Sequence, residues 1–308
     1  MYDIIGDVHG YASLLKKLLT ELGYKKTESG YSHPERKAIF LGDFINRGPE
    51  IRKTINIVRS MVENGNAYAI IGNHEVNAII YYLKFKKRDM QVKAQKKYFM
   101  TLLRTIDEFT LYSDELISHL KWLRSLPLFL EMDGIRIVHA CWSQEAIDFF
   151  KIKTTEGKIK KKMFLELIQN PKSDFSKNIW TLTKGIDFKM PNNLKLINNK
   201  GVCSRSFRLR WWEDPSGKTF EELSFDSKFV LPSYTVPEQL LPVTFIYPQN
   251  APVLFIGHYC RFNGPHIIKS NICCVDSGVA ESKKIVAYRW SGEKSLLAEN
   301  LISIGRKK

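Results

Sequence analysis

Short apolar runs, each broken by a polar cluster, punctuate this chain. Tyr2–Ile5 leads into Gly6-Asp7-Val8-His9-Gly10, and Lys37–Leu41 into Gly42-Asp43-Phe44-Ile45-Asn46-Arg47-Gly48. Ala67–Ile71 leads into Gly72-Asn73-His74-Glu75, Ile135–Val138 into His139-Ala140, and Val253–Ile256 into Gly257-His258. Apolar runs this short predict strands buried on both faces. After the first two, the spacing turns helical. Leu14, Leu15, Leu18, Leu19 and Leu22 form one stripe, and Ile51, Ile55, Val58 and Met61 another, with Pro49 expected in the first turn. Leu116–Leu123 reads as a further helix. Leu128–Met132 and Ile135–Val138 flank Asp133-Gly134, a two-residue hairpin turn. Asn271–Val275, ending in Asp276-Ser277-Gly278, and Ile285–Trp290 read as a late strand pair.

Strands alternating with helices predict an α/β architecture. Ligands of such sheets bind beyond the carboxyl ends of the strands, where this chain sets polar residues five times. The long connections after His74 and His139 must carry insertions. Residues of about 143–250 are expected to form a cap that determines the substrate. That cap belongs to a single domain, 1–308, because candidate ligands lie on both sides of it.

Composition narrows the class. With 44% hydrophobic, 26% charged and 12% aromatic residues, the 308-residue chain reads as a soluble globular protein. No apolar run approaches the roughly 18 residues of a membrane helix, so no membrane partner is expected. The start, MYDIIGDVHG, lacks a basic segment and a long apolar one, and a cytoplasmic location is the expectation. Cys141, Cys203, Cys260, Cys273 and Cys274 are odd in number and form no CxxC pair, which argues against a disulfide framework or structural zinc. Lys+Arg 47 against Asp+Glu 32 gives +15. Nucleic acid would suit that charge. It is not favoured, because the basic stretches Lys84–Lys97 and Lys158–Lys162 lack the interleaved aromatics of a single-strand platform.

The strand-end clusters carry the chemistry. Asp7, His9, Asp43, Asn73, His139 and His258 are short-reach oxygen and imidazole donors, a mixture that suits Mn, Fe or Zn better than Ca. Six donors exceed the four of a closed zinc site and suffice for two ions if one carboxylate bridges. Four of the seven histidines (His9, His74, His139 and His258) stand in these clusters.

GDVHG, GDFINRG, GNHE, a strand-end HA and a later GH, in that order, resemble the calcineurin-like metallophosphoesterase superfamily. GDxxxRG and the glutamate of GNHE point to its phosphoprotein phosphatase (PPP)-like branch, with bacterial serine/threonine phosphatases and bis(nucleosyl)-tetraphosphatases. The resemblance covers residues 2–80, 126–142 and 252–290. It implies a layered α/β/β/α sandwich of mixed sheets with an inserted cap, and two divalent ions (Mn, Fe, Zn or Mg). Asp7 and His9 would hold the first ion, Asp43 would bridge, and Asn73, His139 and His258 would hold the second. Such a pair activates a bridging water and grips phosphate oxygens. Arg47 would bind the substrate phosphate through its guanidinium fork, with Asn73 beside it, and His74 would protonate the leaving oxygen. Glu75 reads as a loop anchor.

One position departs from the family's usual GDxxDRG. Asn46 stands where an aspartate would orient and charge the histidine, and its amide oxygen is expected to accept the proton on His74. Arg208-Leu209-Arg210-Trp211-Trp212-Glu213-Asp214-Pro215 is similar to the family's WxDP segment. Alternation places Arg208 and Arg210 on one strand face, and either can supply a second phosphate-binding arginine. Asp214 is expected to brace the site loop. Cys260, two residues after His258, reads as a buried packing residue.

These observations predict a metal-dependent phosphoesterase acting on phosphate monoesters, either phosphoprotein or a small ester. One alternative is a dinucleoside polyphosphate hydrolase, with Trp142, Trp211 and Trp212 available to stack a base. Another, raised by Asn46, is a non-catalytic phosphate-binding module.

Overall fold

In this computed structural model the described residues are 1–28, 30–85, 96–191, 194–198, 201, 203–225, 229–242, 245–260 and 266–305. Most of the basic stretch 84–97 lies outside them. The strands of the two main sheets are β1 (Tyr2–Ile5), β2 (Lys37–Phe40), β3 (Ala67–Ala69), β4 (Phe129–Met132), β5 (Ile135–Val138), β6 (Val253–Ile256), β7 (Ile267–Lys269), β8 (Ile272–Cys274), β9 (Lys284–Trp290) and β10 (Leu301–Gly305). They build two five-stranded mixed sheets, in the orders β10-β9-β1-β2-β3 and β7-β8-β6-β5-β4. In the first, β1, β2 and β3 run parallel. In the second, β5, β6 and β8 do.

Alternation along these strands explains the layers. Ile4, Ile39, Ile135, Ile137, Val253 and Phe255 meet in one core between the sheets. Ile5, Phe40, Val138, Leu254 and Ile256 face the other way, into a core shared with helices. The result is the α/β/β/α sandwich expected. The helices that flank the first sheet are α1 (Ala12–Glu21), which buries Leu15, Leu18 and Leu19, and α2 (Ile51–Glu63), which buries Ile51, Ile55, Val58 and Met61. Carboxylates serve their N-terminal amides: Glu50 accepts from Ser13 N at 2.8 Å, and Glu108 from Ile51 N and Arg52 N at 2.8 and 2.9 Å. Asp133-Gly134 makes the β4–β5 turn with both φ values positive (48° and 87°), the left-handed pair that a tight hairpin requires.

Two expectations are corrected. Pro49 precedes the N-cap residue Glu50, so it stands outside α2 and not in its first turn. The late apolar runs do not pair with each other: β8 joins β6 in the second sheet, and β9 joins β1 in the first. Each run finds a partner more central than its sequence neighbour. The insertion also divides. Helices Gln144–Lys153, Lys161–Gln169 and Asp174–Lys184 bury Ile147, Phe150, Phe164 and Ile179 in the main core. A small separate core follows, holding Phe188, Phe207, Leu209, Phe220, Leu223 and Val236. Among the described residues this later lobe has a core of its own, apart from those of the sandwich. Among the described residues no helix is long and apolar enough to cross a membrane.

Candidate metal centre and active site

All five polar clusters gather at the carboxyl ends of the parallel strands. Their loops are held in unusual backbone conformations. Among the described residues eight non-glycine residues have positive φ, and five of them are His9 (45°), Asp43 (53°), Asn46 (69°), Arg47 (60°) and His258 (58°). Such conformations persist only where surroundings over-determine them. Here Glu75 does much of that. Fully buried, its carboxylate accepts from the backbone N–H of Asp43 (2.8 Å), Phe44 (2.8 Å), Ile45 (3.3 Å) and Gly72 (3.0 Å). It therefore ties the second polar cluster to the third. Close approach fixes two glycines: a Cβ on Gly72 would collide with Asp43 Oδ1, and one on Gly257 with Asp7 Oδ1.

The donor atoms converge in a way that calls for cations. His9 Nδ1 lies 3.0 Å from Ile45 O, and His139 Nδ1 2.6 Å from Leu41 O. Carbonyl oxygens only accept, so each Nδ1 carries the proton and each Nε2 turns a lone pair inward. Those lone pairs face carboxylates. His9 Nε2 is 3.6 Å from Asp43 Oδ2 and 3.9 Å from Asp7 Oδ2, and His139 Nε2 is 3.4 Å from Asp43 Oδ1. His139 Nε2 also lies 3.1 Å from Asn73 Oδ1. Acceptors packed against acceptors in a buried pocket repel unless a cation lies among them. Without one, protons must compensate. Burial draws the His139 pKa down, but Asp43 and then Asp7 outweigh it and push the imidazole up to about 10. Burial, followed by the charge of Asp276, pushes Asp7 well above the usual carboxylate range. The donor set fits divalent metal. Asp43 is common to two clusters of ligand atoms, one with His9 and His74 and one with His139 and His258, so it is the residue placed to bridge. His258 is drawn in by its backbone N–H, 3.4 Å from Asp7 Oδ1.

Asn46 corrects an expectation. Thr105 Oγ1 donates to its amide oxygen at 2.6 Å, so the amide nitrogen is what faces His74 Nδ1, at 2.7 Å. Nδ1 then accepts, and the His74 proton resides on Nε2, 3.8 Å from Asp43 Oδ2. Among the described residues, no carboxylate reaches Nδ1 to stabilise an imidazolium. His74 is pushed down to about 4, by burial first, and Asp43 only partly offsets that.

Above this floor lies a cavity of about 570 Å³, lined in part by Arg47, Asn73, His74, Arg104, Arg208 and His258. Arg47 is exposed, with no hydrogen-bond or ion-pair partner among the described residues. Arg208 reaches the cavity from the small lobe and donates through Nη1 to His258 O at 2.8 Å. Arg210 does not line it, and its Nε is buried without a partner. Alternation does place both arginines on one half-buried face, opposite the buried Phe207 and Leu209, but only Arg208 reaches the cavity.

The tryptophan expectation is also corrected. Trp211, Trp212 and Trp142 are 0%, 2% and 3% exposed, all committed to the main core and closed to a base. Asp214 is exposed and caps only its own turn, accepting from Ser216 N at 3.0 Å. Cys260 is half-buried, not buried.

Sequence reading missed several residues. Asp276, buried near Asp7, was legible only as the polar end of an apolar run. Thr105, Arg104, Lys184 and Asp187 carried no signal, because the fold alone brings them to the site.

A family model for the calcineurin-like phosphoesterases matches residues 2–262, and the chain belongs to that family. The symmetrical bis(5'-nucleosyl)-tetraphosphatase of Wigglesworthia glossinidia brevipalpis is 27% identical over 303 residues, spanning 94% of this chain and 96% of that protein. The asymmetrical bis(5'-nucleosyl)-tetraphosphatase PrpE of Geobacillus sp. (strain WCH70) is 34% identical over 144 residues, which is 45% of this chain and 55% of that protein. The chain thus spans about half the length of that curated relative. A solved variant of a cold-active protein tyrosine phosphatase shares the fold, with TM-score 0.51 at 15% identity over 93% of this chain and 74% of that one.

Proposed function

We propose that the chain is a metal-dependent hydrolase of dinucleoside polyphosphates of the diadenosine tetraphosphate type. This reverses the order of the two catalytic readings drawn from sequence. The observation that carries it is the Asn46 amide nitrogen facing His74 Nδ1. An alkoxide leaving from a phosphoserine-like ester needs a proton from a strong general acid. A nucleotide phosphate leaving group, with a pKa of about 6, scarcely needs one. A histidine held neutral suits the second substrate and serves the first badly. The likeness to a protein named as a symmetrical tetraphosphatase, over nearly its whole length, supports the same reading.

Two divalent ions, held by Asp7, His9 and Asp43 on one side and by Asp43, Asn73, His139 and His258 on the other, would supply Lewis acidity and an acidified water. The remaining work falls to the protein. Arg47 and Arg208 grip phosphate oxygens, and the strained loops hold every donor in place before substrate arrives. His74 offers its Nε2–H to the leaving oxygen. The elements of water add across one P–O–P bridge, and two nucleoside diphosphates depart.

The test compares diadenosine tetraphosphate, a phosphoserine peptide and p-nitrophenyl phosphate, with Mn present, and identifies products by chromatography. The expected result is the highest kcat/KM on the tetraphosphate, with ADP as product. A higher value on the phosphopeptide would restore the monoester reading. Metal bound without turnover of any of the three would leave a phosphate-binding module.

A further inference from the structure

A second cavity, of about 740 Å³, adjoins the first. The two share Arg47 and Arg104 in their linings. Arg104 is exposed and, like Arg47, has no hydrogen-bond or ion-pair partner among the described residues. Two exposed guanidinium groups, without partners among the described residues, therefore line both the first cavity and the second.

That second space is itself basic. Lys17 and Lys283 line it, together with Tyr11 and Glu50. Lys283 is held in the left-handed region (φ 54°), with its ammonium on the Tyr11 hydroxyl (2.9 Å) and on Ala280 O. The carboxylate of Glu50 is already engaged by Ser13 N and Oγ and lies 3.6 Å from Lys53. Its charge is thus partly spent elsewhere.

We propose that the second cavity is a subsite for the continuing polyphosphate chain of the substrate. One phosphate sits at the metal floor, Arg47 and Arg104 hold the next, and Lys17 and Lys283 receive those beyond. Four cations strung along two joined cavities match a chain of anionic groups and have no counterpart in a monoester. The subsite deepens the proposed function, but needs only a substrate with several linked phosphates. The identity of the groups at the chain's ends rests on the dinucleoside reading.

Calorimetry separates the two claims. Inorganic tripolyphosphate and orthophosphate are titrated into the full-length, metal-loaded protein at fixed free metal concentration. Tripolyphosphate should bind at least about tenfold more tightly in the wild type. Lys17→Ala and Lys283→Gln should each cut that ratio several-fold. Lys17 is exposed on α1, so its truncation leaves the fold intact. Lys177→Ala removes a lysine that lines neither cavity and should leave the ratio unchanged. In parallel, Lys17→Ala and Lys283→Gln should lower kcat/KM on diadenosine tetraphosphate relative to p-nitrophenyl phosphate. A wild type without preference for tripolyphosphate, or variants that keep the full preference, would overturn the subsite. Failure to hydrolyse diadenosine tetraphosphate, with the binding preference intact, would overturn only the dinucleoside reading.

Discussion

The floor of the site and its rim are built on opposite principles. The floor is buried, acidic and over-determined: Glu75 clamps four backbone amides, and carbonyl oxygens fix the tautomers of His9 and His139. The rim is cationic, with Arg47 and Arg104 exposed and without partners among the described residues. A floor that must hold cations cannot tolerate adjustment. A rim proposed to accept varied anions gains from charges that no described residue already engages. Substitutions should therefore act through metal content below and through substrate affinity above.

The largest effect is expected at the floor. Asp43→Asn removes the charge shared by both donor clusters. It should abolish turnover and lose at least one metal ion, as read by elemental analysis of the purified protein. Near-normal turnover with full metal content would remove Asp43 from the bridging position.

The rim should respond by degree. Arg47→Ala and Arg208→Ala each delete one charge-assisted contact, worth about 1.5–3 kcal/mol. That corresponds to a fall of roughly 10- to 150-fold in kcat/KM with metal content unchanged. Arg210→Ala, outside the cavity, should leave kinetics near wild type. Equal losses at Arg208 and Arg210 would mean that the small lobe acts as a whole and not through one side chain.

Asn46 joins the two regions, since it sits in the floor but contacts His74, the group proposed to meet the leaving oxygen. Asn46→Asp replaces the amide nitrogen beside His74 Nδ1 with an anionic oxygen, while the Thr105 hydroxyl keeps its acceptor. Imidazolium would then be favoured. Turnover of an alkyl phosphate should rise about tenfold, with little change on p-nitrophenyl phosphate or diadenosine tetraphosphate. A parallel change on all three substrates would remove His74 from the leaving-group step.

The same division explains what sequence could reveal. Floor residues follow apolar runs within a few positions, so local pattern located Asp7, His9, Asp43, Asn73, His139 and His258 together. Rim residues depend on where long insertions land. Thr105 and Arg104 come from a helix between the third and fourth clusters, whose own sequence shows only an amphipathic pattern. Arg208 and Arg210 do share a face, with Phe207 and Leu209 buried opposite, but alternation fixes only the face and not which side chain reaches the cavity. The tryptophans misled for a related reason. Their size suits a base, but size is also what fills a core, and the junction of lobe and sandwich needed filling.

The smallest expected effect supplies a reference for the others. Acid will weaken the floor through its metals, and a buried titrating group elsewhere is needed to separate that loss from ordinary unfolding. His119, 2% exposed in the helix Ser113–Leu123, is such a group. Burial lowers its pKa below the usual 6.5, and Glu115, 3.3 Å from Nε2, only partly opposes this. The sign follows from linkage. A base with a depressed folded pKa stabilises the neutral native state fully above its unfolded pKa, and that contribution disappears as pH falls from about 6.5 through the folded value. One proton taken up on unfolding sets a limiting slope of about 1.4 kcal/mol per pH unit. Urea unfolding of metal-saturated protein between pH 7.5 and 5 should show this slope superimposed on the metal-dependent loss. His119→Gln should remove it while leaving activity at pH 7.5 intact. If wild type and variant lose stability in parallel over that range, His119 is not held neutral in the folded protein, and the whole acid sensitivity belongs to the floor.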